Sequence, residues 1–81
     1  MIIIRTDGSS ENRARKISLE SAHKIVGGYV EVVHLSEGYL LVDEDARTKR
    51  EKPPVNEVAS RLAGREILGN AVFLKSLHDL I

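Results

Sequence analysis

The chain has no cysteine and no tryptophan, and only one phenylalanine and two tyrosines among its 81 residues. Without thiols there is no disulfide, no thiolate nucleophile and no cysteine-ligated zinc. Without an aromatic cluster there is no platform for stacking single-stranded bases, and the core has to be built from Ile, Val, Leu and Ala. Neither sign of charge is in excess, because twelve basic side chains cancel twelve acidic ones. No global field draws the chain to nucleic acid or to a membrane surface, although local patches can form. Long apolar runs are missing too. Met1-Ile2-Ile3-Ile4-Arg5 is far shorter than a signal-peptide core, and nothing approaches the roughly 20 apolar residues of a membrane span. These absences predict a single soluble domain over residues 1–81, cytoplasmic, with modest stability unless it associates.

What is present is organised around Gly27-Gly28-Tyr29-Val30-Glu31-Val32-Val33. Two glycines after an apolar-periodic segment mark a helix stop, since a residue without Cβ enters the left-handed region freely. From Tyr29 the pattern turns β-branched and too short for an ordinary helix. Ser36-Glu37-Gly38 supplies a turn and Tyr39-Leu40-Leu41-Val42 a return strand, giving a hairpin over about residues 29–43. The near-consecutive apolar residues in both runs predict inner strands covered on both faces.

Around this hairpin, Met1 to Thr6 reads as a strand closed by the Asp7-Gly8-Ser9-Ser10 turn. Arg13 to Ile17 is ambiguous, a solvent-facing partner strand being one reading, and Ser18 reads as the N-cap of a helix to Val26 with Leu19, Ala22, Ile25 and Val26 on one face. Residues 43–52 are polar without a period that would bury a face, and so are assigned as loop. Pro53-Pro54 forbids helix before Asn56, which caps a second helix running to Ala63 with Val58, Ala59 and Leu62 as its apolar side and Gly64 as its stop. Ile67-Leu68, a Gly69-Asn70 turn and Ala71 to Lys75 give the final strand. Ser76 to Ile81 forms either one helical turn with Leu77, Leu80 and Ile81 packed down, or a frayed tail. The fold class expected is α+β: an antiparallel sheet of about four strands with two short helices packed on it.

The succession Val26-Gly27-Gly28-Tyr29-Val30-Glu31-Val32-Val33, an apolar strand ending in Asp43-Glu44, Pro53-Pro54-Val55-Asn56 with Ala59, and Ile67-Leu68-Gly69-Asn70-Ala71-Val72 resembles a family of small proteins from phages, plasmids and bacteria. That family carries only a domain-of-unknown-function label. The resemblance spans about residues 1–75 and implies a compact α+β fold and a phage or mobile-element origin. It brings no activity, so Gly27, Gly28, Glu31, Glu44, Asn56 and Gly69 carry over as motif positions. The Lys- and Arg-rich insert before Pro53 is longer and more charged than the family pattern.

Candidate chemistry is sparse. Glu31 interrupts an apolar strand and either faces solvent by alternation or sits against a partner. Asp43-Glu44-Asp45 lacks the alternating ligands and mid-loop glycine of a calcium loop, which makes it a solvated strand end. His23, His34 and His78 have no metal-ligand spacing. There is no G-x-S-x-G, no phosphate-binding glycine loop with lysine and no dinucleotide fingerprint, so neither an enzyme nor a cofactor is expected. A hydrolase built on Glu31 and His34 is the remaining catalytic alternative.

The function expected is a non-enzymatic interaction protein of phage or mobile-element type that occupies a host protein or complex. Its recognition surface would be a strand edge or the charged loop: Glu31, His34, Asp43, Glu44, Asp45, Arg47, Lys49, Arg50 and Lys52, with Gly27, Gly28, Asn56, Gly64 and Gly69 holding the frame. Pairing of two copies through a sheet edge is a second partner expectation. The alternative is phosphate, nucleotide or nucleic-acid binding by Arg13, Arg15 and Lys16 together with Arg47, Lys49, Arg50 and Lys52.

Overall fold

The computed structural model describes residues 1–81. Five strands form one antiparallel sheet: β1 (Ile2–Ile4), β2 (Ser10–Asn12), β3 (Val30–Leu35), β4 (Gly38–Asp43) and β5 (Ala71–Leu74), in the order β2-β1-β5-β4-β3. Helix α1 (Leu19–Val26) and helix α2 (Glu57–Ala63) complete the α+β fold. The central strands belong to the two ends of the chain, for β5 lies between β1 and β4.

The sheet has one strand more than expected. The partner of β1 is Ser10–Asn12, with Ile3 opposite Glu11, and not the 13–17 segment. This pairing is carried by backbone hydrogen bonds of three polar residues, which leave no apolar period to read. The β-branched run at the start is shorter than predicted, three residues rather than six. β4 is an inner strand as expected, with Leu40, Leu41, Val42 and Asp43 buried, whereas β3 is an edge strand and only half-buried.

Strand alternation feeds two cores, one on each face. Ile4, Leu40, Val42 and Ala71 pack with Ala59 of α2 and with Ile67. Leu41, Val72 and Leu74 pack with Ile17 and with Ala22 and Val26 of α1. Each fully buried leucine here stabilises the fold by about 2 kcal/mol through area removed from water.

Local signals set the helix ends. Ser18 accepts from the Ser21 amide at 3.1 Å, and Gly27, at φ 92°, ends α1 by donating its amide to the His23 carbonyl. A left-handed residue at this point favours glycine. Leu19 is exposed, so the buried side of α1 is narrower than the predicted apolar face. On α2, Ala59 points inward and Val58 and Leu62 point out, 38% and 50% exposed, against the expectation that all three pack together. The chain from Ser76 is not frayed. Leu77–Asp79 makes a 3-10 turn, and the segment is tied to Ile17 by Ile17 donating to the Asp79 carbonyl at 2.8 Å and Ile81 donating to the Ile17 carbonyl at 2.9 Å. Leu77 and Ile81 nevertheless face solvent.

Candidate functional site

The glycine pair, the end of β4 and the following loop meet in one corner. Asp43 is fully buried by its side chain, so it belongs to the frame and not to a solvated strand end. Its Oδ1 accepts from the Asp45 amide at 3.0 Å. Its Oδ2 forms an ion pair with Lys49, whose Nζ also donates to the Gly27 carbonyl at 2.7 Å. Gly28 lies directly under this carboxylate. The 43–52 segment is thereby ordered: Ala46–Thr48 is a 3-10 turn with Ala46 buried, and Arg47 donates to the Glu66 carbonyl at 2.6 Å. Asp43 and Lys49 leave the candidate surface, while Glu44, Asp45, Arg47, Arg50 and Lys52 remain exposed on it.

Beside this corner is a cleft lined by Glu31, Glu44, Arg47, Arg65 and Glu66. Glu31 accepts from Arg65 Nη2 at 3.3 Å, and Glu66 pairs with Arg47 at 3.3 Å. Glu31 is the structurally paired carboxylate that its strand position allowed. His34 lies on the opposite face of β3 by alternation, its ring edge-on to Tyr39 at 5.3 Å, so Glu31 and His34 do not converge on one reacting atom. No group of three or more His, Asp or Glu side chains is placed to hold a metal ion.

The two basic segments do not form one surface. Arg13, Arg15 and Lys16 line clefts with Met1, Phe73 and the start of α1, while Arg47 and Lys49 line others at the end of β4 and beside Pro53. Arg13 and Arg5 share Glu11, whose carboxyl these bonds to Arg13 and then Arg5 hold down at about 2. Arg15 pairs with buried Asp79 at 3.2 Å.

The Asn56 motif is a buried junction. Its Oδ1 accepts from the Ala59 amide at 3.1 Å, and its Nδ2 donates to the carbonyls of Ile4 and Gly69, each at 2.9 Å. Every side-chain group of a fully buried amide is used, which ties the start of α2 to β1 and to the turn before β5. The model of the family described as Domain of unknown function (DUF3846) matches residues 1–79. The chain belongs to this family. No curated protein and no solved structure matches it. Within the DUF3846 chain Gly27, Asn56 and Gly69 take part in hydrogen bonds that join segments, Gly28 lies against the Asp43 carboxylate, and Gly64 stops α2.

Sequence reasoning passed over Ser60, whose hydroxyl donates to the Asn56 carbonyl at 2.7 Å and accepts from the Ile67 amide at 2.8 Å. A serine four residues after a helix cap is the available signal. It also passed over Glu11 and Asp79, each an acid within or beside a basic or apolar run.

The open edge of β3 remains. Tyr29 accepts from the Glu44 amide at 2.8 Å, so alternate residues 31, 33 and 35 turn their backbone groups to β4 and Val30, Val32 and His34 turn theirs outward. No proline or second strand covers this six-residue edge. α2 packs over the same strand and presents Val58 and Leu62 to solvent.

Proposed function

We propose that the protein is a non-enzymatic interaction module of phage or mobile-element type that occupies a host protein in the cytoplasm by taking an extended segment of it along β3. The carrying observation is the row of outward N–H and C=O groups of Val30, Val32 and His34, a template for one more antiparallel strand. Exposed Val58 and Leu62 and the Glu31–Arg65 pair lie on the α2 side and supply side-chain selectivity. Edge strands of this length are usually blunted by proline or by covering chain.

The test is His34→Pro. The outward His34 amide makes no bond to β4, so its loss leaves the hairpin intact and removes one donor from the edge. The variant is expected to fold, and its capture of host protein from lysate is expected to fall about tenfold or more. Capture unchanged by His34→Pro removes the edge from the account.

A further inference from the structure

On the α2 face of the sheet Ile4 is buried with Ala59, but the cover thins toward the start of β1. There the cross-strand neighbours Ile2 and Phe73 are half-buried, and they floor a cleft with Arg13, Arg15, Lys75 and Asp79 on its rim. Charge in this corner is unbalanced. Among its lining residues Asp79 is buried and pairs with Arg15, while Arg13 pairs with Glu11, which lies outside the lining. Lys75 is exposed with no acidic partner. Three basic side chains against one acidic one thus line this apolar-floored cleft.

We infer that this cleft, between residues 12–15 and the end of β5, binds a phosphate-bearing ligand of nucleotide size. Lys75, Arg13 and Arg15 hold the phosphate, and the apolar part of the ligand lies against Ile2 and Phe73. Three separate cationic heads suit an anion with three oxygens and more than one charge, whereas a carboxylate fills only a single guanidinium fork. A bare anion leaves the floor unused. Phe73 is the one aromatic residue there, which suits a single base. The inference is independent of the β3 edge, which lies at the other side of the sheet.

The full chain is titrated with inorganic phosphate, with ATP and with a short single-stranded oligothymidylate while amide resonances are followed by NMR. Shifts are expected at Arg13, Arg15, Phe73 and Lys75, with ATP tighter than phosphate because of the floor. For the oligomer, raising salt from about 50 to about 200 mM weakens binding about sevenfold if two phosphates are neutralised. Lys75→Glu, at an exposed residue with no partner to lose, keeps a folded spectrum and weakens binding about tenfold or more. Arg50→Glu, in the other basic segment, leaves binding unchanged. Tighter binding of ATP than of the oligomer assigns a free nucleotide, and the reverse assigns a strand; both support the site. Absence of shifts with every probe, shifts confined to residues 47–52, or binding indifferent to Lys75→Glu overturns it.

Discussion

A Cβ built on Gly28 would stand 2.5 Å from Oδ1 of Asp43, so the buried carboxylate at the end of β4 occupies the space that any other residue at 28 would need. The glycine is required by its neighbour's side chain and not by a left-handed backbone. Gly28→Ala is expected to cost about 1–3 kcal/mol through overpacking. In an Asp43→Ala background the same change should cost less by about 1 kcal/mol or more, since the obstruction is gone. Urea unfolding of the two single variants and the double variant measures this coupling, and strictly additive costs would refute the contact as the reason for the glycine.

Asn56 is both a helix cap and a donor to two strand-end carbonyls. Asn56→Ala loses the cap and orphans the Ile4 and Gly69 carbonyls, an expected loss of about 3 kcal/mol. Asn56→Asp keeps the cap acceptor but turns an oxygen toward two carbonyls inside the fold, so at neutral pH it should destabilise more than alanine. Thermal unfolding ranks the two; an aspartate as stable as the wild type would mean the Nδ2 bonds contribute little.

The acid limb of stability is expected to depend on Glu11. Bonds from Arg13 and Arg5 hold its carboxyl at about 2 against an ordinary 4.5. A carboxyl lowered by folding stabilises at pH values above 4.5 and loses that contribution as pH falls toward about 2. Asp7, lowered by its bonds from Ser9, acts in the same direction. Glu11→Gln should therefore flatten the stability profile between these limits, with the gap from wild type closing as pH falls. Unfolding curves taken across that range decide it, and parallel profiles would exclude Glu11 as the titrating group.

The outer side of α2 should tolerate change that its inner side does not. Leu62→Glu is expected to alter stability by no more than about 0.5 kcal/mol, as for exposed positions generally. Ala59→Leu, at a fully buried site, should cost about 1–3 kcal/mol or more. Chemical denaturation of both variants tests the orientation, which is reversed if Leu62→Glu is the more damaging.

Much of the fold was legible because its signals are local. Ser18 and Asn56 cap α1 and α2, Gly27 and Gly64 end them, and the hairpin over 29–43 follows from its turn and β-branched runs. β2 was not legible, since Ser10, Glu11 and Asn12 pair through their backbone alone. The edge position of β3 was hidden as well: its composition suits an inner strand, and only the insertion of β5 beside β4 decides which strand is left outermost. The candidate site divided along the same line. Glu31 was recognised as a strand carboxylate that needs solvent or a partner, but the burial of Asp43 depends on Gly28 and Lys49, 15 positions before it and 6 after.

Because β5 is the keystone between β1 and β4, the first hairpin and the second share no sheet hydrogen bonds without it. A nascent chain halted before residue 71 on the ribosome holds two ribbons that share no sheet hydrogen bonds. Assembly of the sheet is thus an all-or-none event that waits for residues 71–74 to emerge.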